Sequence, residues 1–287
     1  MIPAVKPYFQ KLFRSVGLYQ RIKASLLYDL YWGIADRRII NERREEIEFY
    51  RNALKGFRKG DLIFDVGANH GQKTDVFLRL GAKVVAVDPD ETNQEALKQK
   101  FLKYRLIKKP VVVIGKAVSD RDAVETMWID EPGSAKNTLS QKWVETLRAD
   151  GSRFGKTLDF GQKKPIQTIT LEGLMKTYGL PFFVKIDVEG YEPCVLRGLQ
   201  RSVPYLSFEV NLPEFKPEGF QCIESLAVLD NSGKFNYTVD CRRGLALDRW
   251  LGVKEFEPVF ERCFEKSIEV FWRTGEPGGS SGERGHN

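Results

Sequence analysis

The sequence predicts an α/β fold, a doubly wound and mostly parallel seven-stranded sheet with a helical extension at the N-terminus. Two observations lead to this prediction. Short apolar runs typical of buried strands alternate with helical stretches from residue 61 to residue 272. The first run ends in a glycine-containing turn, as expected where a parallel sheet binds a ligand at the carboxyl ends of its strands. With 287 residues, 42% of them hydrophobic, the chain is long enough to bury the core of such a sheet.

Residues 1–59 are predicted to form a basic helical extension. They carry 13 basic and 6 acidic side chains, so the net charge of +6 for the whole chain originates here. This uneven distribution argues against a general nucleic-acid-binding surface. Within residues 4–32, apolar side chains recur at helical intervals with basic ones between them. The pattern predicts either a helical cap on the main domain or a helix in weak contact with an anionic membrane surface.

The main domain is predicted to span residues 60–274. Strands are expected at the short apolar runs Asp61–Val66, Lys83–Val87, Val111–Val118, Ala123–Ile129, Ile166–Leu171, Phe182–Asp187, Tyr205–Val210, Phe235–Val239 and Ile268–Trp272, the last of them antiparallel. Helices are expected at Asp36–Leu54, Thr74–Leu80, Glu91–Leu102, Glu192–Gln200 and Cys222–Leu229. Polar residues 131–164 predict an insertion over the active site. Residues 275–287 lack apolar side chains, which predicts a disordered tail.

The cysteine pattern and the absence of targeting segments predict a cytoplasmic protein. The four cysteines contain no C-x-x-C pair, so neither a disulfide framework nor a zinc site is predicted. No run reaches the ~18 apolar residues of a membrane-spanning helix, and the N-terminus lacks a signal-peptide pattern. Peripheral attachment to a membrane is the alternative if residues 4–32 bind lipid.

The turn DVGANHG at 65–71 follows the first predicted strand. It lacks the middle glycine of G-x-G-x-x-G, which lets a pyrophosphate approach the backbone. Asp65 adds a negative charge that would repel a diphosphate and attract a cationic amino-acid group. Asp88 follows the next strand at the spacing (~20 residues) at which an acid accepts hydrogen bonds from ribose hydroxyls. Together the two acids predict S-adenosylmethionine as the cofactor.

Four segments resemble the FkbM family of S-adenosylmethionine-dependent methyltransferases: DVGANHG at 65–71, AVDPD at 86–90, AVSD at 117–120 and FVKIDVEGYEPCVLRGL at 183–199. The resemblance covers about residues 60–215 and implies a class I, Rossmann-like methyltransferase acting on hydroxyls of sugars or secondary metabolites. It implies cofactor contacts from Asp65, Gly67, Asn69, Gly71, Asp88 and Ser119, with Asp88 at the ribose and Ser119 near the adenine. The polar segment at 134–139 also resembles the family, which implies that Asn137 and Thr138 contact the acceptor.

Methyl transfer to an alcohol requires a base that removes the hydroxyl proton as attack proceeds. His70, in the cofactor turn, is one candidate. Asp187 and Glu189 are the others, because the carboxyl end of their strand should open on the ligand crevice. Asp187 is also expected to contact the cofactor. For Glu189, the alternative is that it only stabilises the N-terminus of the next helix.

Glu209 and Asn211 follow the next predicted strand and should lie beside Asp187, where they are expected to bind the acceptor. Because Mg²⁺ prefers oxygen ligands, the three residues predict either a hydrogen-bonding group without metal or a Mg²⁺ site that binds a diol. Lys185 lies within an otherwise buried strand. We expect it to pair with an acid such as Glu209 or Asp65.

The predicted function is O-methylation of a small-molecule or glycan acceptor. Two alternatives stay open. A NAD- or nucleotide-sugar-dependent oxidoreductase on the same fold is disfavoured by the missing glycine and by the lack of a Tyr-x-x-x-Lys pair near the site. The other alternative is a non-catalytic module that binds a membrane surface through residues 4–32.

Overall fold

Strands and helices alternate along the chain in the structure, a computed structural model that describes residues 37–102, 111–149 and 158–275. The strands are β1 (Leu62–Val66), β2 (Lys83–Val87), β3 (Val111–Ile114), β4 (Ala117–Val118), β5 (Val124–Ile129), β6 (Gln162–Ile169), β7 (Phe183–Ile186), β8 (Tyr205–Asn211), β9 (Lys234–Thr238), β10 (Leu251–Gly252) and β11 (Ser267–Arg273). The helices are α1 (Arg37–Ala53), α2 (Gln72–Leu80), α3 (Glu91–Lys100), α4 (Gln141–Ala149), α5 (Leu171–Tyr178), α6 (Glu192–Arg197), α7 (Lys216–Leu229) and α8 (Val253–Glu261), and a 3₁₀ turn covers Cys241–Arg243.

The central sheet has the strand order β10-β9-β11-β8-β7-β1-β2-β3. Strands β3, β2, β1, β7 and β8 run parallel to one another, and β11 runs antiparallel to both β8 and β9. The predicted mostly parallel sheet with an antiparallel last strand is therefore confirmed. An eighth strand, β10, pairs only two residues with β9, too few to leave a pattern in the sequence.

Helices cover both faces of this sheet, as doubly wound folds require. On one face, α1, α2 and α3 pack through Tyr50, Phe77 and Leu97 against Phe183 and Phe271 of the strands. On the other face, α4 to α8 bury a second and larger set of apolar side chains, among them Trp143, Leu171, Val195, Ile223 and Phe256. The strands read as continuous apolar runs because both faces are buried.

The predicted single strand Val111–Val118 is wrong, because the chain leaves the central sheet after Ile114. Gly115 passes so close to Gln94 that a Cβ there would lie 2.4 Å from the Gln94 side-chain oxygen. Strand β4 then joins a separate three-stranded sheet with the order β4-β6-β5. The runs predicted at 123–129 and 166–171 belong to this second sheet, not to the central one.

Some predictions lie outside the described residues, namely the helix over 4–32, most of the tail after residue 275, and residues 150–157 of the predicted insertion. The described part of that insertion contains α4 and the start of β6. Among the described helices, none has the length and apolar character needed to cross a bilayer. All four cysteines are free thiols.

Candidate active site

A crevice opens at the carboxyl ends of β1, β2 and β7, where parallel sheets bind their ligands. The empty volume of the crevice, including the part open to solvent, is about 690 Å³. Its lining residues include Gly67, Asn69, Asp88, Asp90, Asn93, Lys116, Met127, Asn137, Thr138, Asp187, Glu189 and Tyr191.

The turn after β1 is shaped by close contact with the turn after β7. Gly67 has a φ of +79°, and a Cβ there would lie 1.7 Å from the carbonyl oxygen of Asp187. Only glycine fits, because any side chain would collide with backbone. Gly71, with a φ of +68°, lies under Leu97 and Phe101 of the α3 segment instead. Of the two glycines, Gly67 lines the crevice and Gly71 lets α3 pack against the turn.

Asp88 lies at the end of β2 with its carboxylate buried in the crevice wall. Its oxygens accept hydrogen bonds from the backbone N–H groups of Asn69 (2.8 Å) and Asp90 (2.9 Å) and from the Asn93 amide (3.2 Å). Burial raises the pKa of Asp88 to about 6, although these hydrogen bonds oppose the shift. A carboxylate with two oxygens has acceptor capacity left for ribose hydroxyls.

Two further acceptors in the crevice lack partners. The side-chain oxygens of Asn69 and Asn93 are buried, and neither has a hydrogen-bond donor within the described part of the chain. Unpaired buried acceptors are costly unless a ligand or water satisfies them. Hydroxyl and ammonium donors, both present on S-adenosylmethionine, would satisfy them. The residues of the crevice therefore fit this cofactor.

Three predicted site residues lie beside the crevice and do not line it. Asp65 falls within β1, so its buried side chain turns toward α2 and accepts a hydrogen bond from the Thr74 hydroxyl. The side chain of His70 is exposed, and its carbonyl accepts a hydrogen bond from Lys100 (2.9 Å). The Ser119 hydroxyl is buried and donates to Glu125 (2.8 Å).

The segment 134–139 covers the crevice and is fixed by Asn137 and Thr138. The Asn137 amide donates to Asp90 (2.9 Å) and its oxygen accepts from the backbone of Asp130 (2.9 Å). The Thr138 hydroxyl donates to the carbonyl of Glu189 (2.8 Å). Both residues line the crevice, but the described structure uses their side chains to hold the loop in place.

Three carboxylates meet at the mouth of the crevice. One oxygen from each of Asp187, Glu189 and Glu209 lies within 4.8 Å of the others. Glu189 joins Asp187 and Glu209 in this group, and Asn211 stands at the end of β8 opposite Ser267. Lys185 is paired as predicted, but its partner is Asp187 at 2.8 Å rather than Glu209 or Asp65.

Glu189 occupies a strained backbone position at this mouth. Its φ of +56° is unusual for a residue with a long side chain, and such strain is found preferentially at functional sites. Its carboxylate has no hydrogen-bond donor among the described residues. Burial, with repulsion from Glu209 and Asp187, raises the pKa of Glu189 well above its ordinary value. The helix-stabilising role belongs to Glu192, whose carboxylate accepts the backbone N–H groups of Val188 (3.0 Å) and Gly190 (3.3 Å).

The pKa values of the other two carboxylates shift in opposite directions. Burial alone would raise the pKa of Asp187, but the Lys185 ammonium outweighs it and lowers the pKa. Burial and the Asp187 charge raise the pKa of Glu209. A Mg²⁺ ion bound by this group would lie close to the Lys185 ammonium, which opposes it.

Solved structures with a similar fold include several methyltransferases. A SAM-dependent methyltransferase from Agrobacterium tumefaciens is 12% identical, with a TM-score of 0.39; the match covers 81% of this chain and 62% of that one. A putative rRNA methylase from Clostridium thermocellum is 12% identical, with a TM-score of 0.40; the match covers 79% of this chain and 94% of that one. The plantazolicin methyltransferase BpumL in complex with SAH is 8% identical, with a TM-score of 0.41; the match covers 87% of this chain and 90% of that one. These likenesses concern the fold alone.

Among curated proteins, no match to the sequence was found. A family model described as the methyltransferase FkbM domain matches residues 65–235. This match takes in the glycine turn, the Asp88 strand and the three carboxylates of the mouth, and it covers more than half of the chain. The chain belongs to the FkbM methyltransferase family.

Proposed function

We propose that this protein is an S-adenosylmethionine-dependent O-methyltransferase whose acceptor is a hydroxyl on a sugar, a glycan or a glycosylated metabolite. The observation that carries the proposal is the crevice beside Asp88, with its unpaired Asn69 and Asn93 oxygens. The family membership supports methyl transfer. The choice of a hydroxyl acceptor rests on the family resemblance and on the carboxylates at the mouth.

The cofactor, when bound, supplies a methyl group already activated by its positive sulfur. The protein then has to hold the acceptor in line and remove one proton, and alignment alone can supply ~7–11 kcal/mol. Asp88 would bind the ribose, and Asn69 would accept from the amino-acid end or the ribose. The acidic crevice wall, with Asp88, Asp90 and Asp187, favours a cationic ligand over a diphosphate.

We assign the base to Glu189. Its carboxylate lines the crevice, lacks a donor among the described residues and has a raised pKa, as a proton acceptor for a hydroxyl needs. In the transfer, the acceptor oxygen forms a bond to the methyl carbon as the sulfur–carbon bond breaks. The hydroxyl proton passes to Glu189. Asp187, paired with Lys185, would keep the neighbouring charge fixed.

Mg²⁺ is the alternative means of activating a diol at Asp187, Glu189 and Glu209. The Lys185 ammonium favours the metal-free mechanism, since it already neutralises Asp187 at 2.8 Å. The oxidoreductase alternative is opposed by the turn after β1, where the Asn69 N–H is bound to Asp88 and is not free for a phosphate.

The proposal is tested with a labelled methyl donor and a panel of saccharides and glycosylated metabolites. Transfer of label to a hydroxyl by the wild type, strongly reduced in Glu189→Gln, is the expected result. Label found only on nitrogen or carbon would contradict the assignment of a hydroxyl acceptor. Turnover by Glu189→Gln equal to that of the wild type would contradict the assignment of the base.

A further inference from the structure

A second cavity adjoins the crevice on the far side of Asp187. It lies over the carboxyl ends of β7 and β8 and the amino end of β11, and its empty volume, including the part open to solvent, is about 730 Å³. Its lining includes Glu46, Lys73, Lys185, Asp187, Glu209 and Glu269. Because Asp187 lines both spaces and the carboxylates of Glu189 and Glu209 meet beside it, a molecule in this cavity reaches the mouth of the crevice.

One face of the sheet changes from apolar to charged side chains as β7 and β11 approach the cavity. Deeper in the sheet, this face carries Phe183 and Phe271, which pack under α1 and α2. Two residues further toward the cavity, the same face carries Lys185 on β7 and Glu269 on β11. This face of the sheet is therefore apolar where α1 and α2 cover it and charged where it borders the cavity.

The negative charge of the cavity exceeds the positive charge. Lys73 is paired with Glu46 (3.0 Å) and Lys185 with Asp187 (2.8 Å). Glu269 lies directly opposite Glu209 on the neighbouring strand, an arrangement that costs stability when both are charged.

Serine hydroxyls donate a hydrogen bond to each of these two opposed acids. The Ser267 hydroxyl donates to Glu209 (2.7 Å), and the Ser207 hydroxyl donates to Glu269 (2.6 Å). Within the described part of the chain, neither Glu209 nor Glu269 forms a salt bridge. A cationic group in the cavity would therefore stabilise the charged forms of both acids.

Lys185 provides a second, independent indication of a ligand. The residue is only 4% exposed and lines the cavity. Its ammonium has three N–H donors, and Asp187 is its one hydrogen-bond acceptor among the described residues. Buried donors left unused are costly, so an oxygen lone pair from a bound molecule would stabilise this group.

We propose that the cavity is the acceptor site and that its acceptor is a small amino alcohol, such as an amino sugar. The inference rests on the proposed function and adds the chemical class of the acceptor. A hydroxyl oxygen accepts from Lys185 near Asp187, and a protonated amine lies against Glu269 and Glu209. Acceptors bearing phosphate or carboxylate are repelled by the same acids.

The test compares glucosamine, N-acetylglucosamine, glucose and glucose 6-phosphate as acceptors in the labelled-methyl assay. We expect kcat/KM for O-methylation of glucosamine to exceed that of the uncharged sugars by about tenfold or more, and no labelling of the phosphate. Equal or better use of the uncharged sugars, or no turnover with any of the four, overturns the proposal.

Glu269→Gln keeps an acceptor for the Ser207 hydroxyl and removes the charge. It should raise KM for glucosamine by on the order of tenfold and leave KM for glucose unchanged. Glu265→Gln, an exposed acid before β11, is the matched control and should change neither. A Glu269→Gln variant that keeps the preference for glucosamine refutes the assigned contact.

Calorimetric measurement of S-adenosylhomocysteine binding on the same preparations distinguishes a wrong acceptor class from a wrong proposed function. If the cofactor product binds and label is transferred without a preference for the amine, only the acceptor class is wrong. If S-adenosylhomocysteine does not bind to the wild type, the proposed function fails with it.

Discussion

The affinity for the cofactor should depend on pH through Asp88. Burial raises the pKa of this carboxyl to about 6 in the ligand-free protein. Ribose hydroxyls donate their hydrogen bonds to the ionised form, so only that form binds well. With a pKa of about 6, roughly nine tenths of the molecules are ionised at pH 7 and roughly one tenth at pH 5. The dissociation constant for S-adenosylhomocysteine should therefore rise about tenfold between pH 7 and pH 5.

The stability of the ligand-free protein should change in the opposite direction. Because the folded-state pKa of Asp88 is raised above its unfolded value, its contribution to stability is full below pH ~4 and is lost as the pH rises through about 6. The cofactor binds the protein in which Asp88 is ionised, and this form is more abundant at pH 7 than at pH 5. The ligand should therefore stabilise the protein more at pH 7 than at pH 5.

Calorimetric titration of wild type, Asp88→Asn and Glu95→Gln across pH 5–7 measures this dependence. Asp88→Asn loses hydrogen bonds to a charged group, worth ~1.5–3 kcal/mol, so binding at pH 7 should weaken ~10–100-fold and lose its pH dependence. Glu95→Gln, an exposed acid on α3, should behave as wild type. A flat wild-type affinity from pH 5 to 7, or an unchanged pH slope in Asp88→Asn, would refute the role of Asp88.

Three other predictions concern the base, the glycine turn and the metal. Glu189→Gln should lower kcat by ~10²–10⁴-fold and leave S-adenosylhomocysteine affinity within about twofold; a parallel loss of affinity would argue against a base. Gly67→Ala should lower the free energy of unfolding by more than ~3 kcal/mol in denaturant melts and abolish cofactor binding, because its Cβ collides with backbone. Gly60→Ala is the control, because Gly60 has a φ of +96° with open space around it; this change should lower the free energy of unfolding by about 1 kcal/mol. Equal losses of stability in the two variants would show that the collision at Gly67 is not the cause. Treatment with a strong chelator should leave activity unchanged, whereas a loss restored by added Mg²⁺ would establish the metal mechanism.

The fold was predictable where the sequence pattern is unambiguous. The runs at 83–87 and 183–186 are apolar apart from Lys83 and Lys185, since both faces of the sheet are covered, and they form strands as predicted. The helix α7 begins at Lys216, six residues before the predicted start, because Pro217 is tolerated in a first helical turn. The break after Ile114 was not predictable, since the contact between Gly115 and Gln94 joins distant parts of the chain.

The site was predictable in its residue types and less so in their roles. Asp88 lies where its spacing from the glycine turn placed it. Asp65 was expected in the crevice, but it is the fourth residue of β1, and strand alternation turns it toward α2. The contributions of Tyr191 and Met127 to the crevice wall depend on how the second sheet packs, which no local pattern reports.

The acidic cavity behind Asp187 could be suspected from single residues only. Lys185 was expected to have an acidic partner because a lone lysine in a buried strand is costly. Which acid it meets depends on side-chain direction along one strand, and the opposition of Glu209 and Glu269 depends on the register of β8 with β11. Register between distant strands is set by tertiary packing.

The central claim is that the crevice beside Asp88 binds a sulfonium cofactor and not a dinucleotide. Calorimetric titration of the full chain at pH 7 with S-adenosylhomocysteine and, separately, with NAD tests it most directly. The account predicts saturable binding of S-adenosylhomocysteine at one site and no heat of binding with NAD. Binding of NAD, or no binding of S-adenosylhomocysteine, would contradict it.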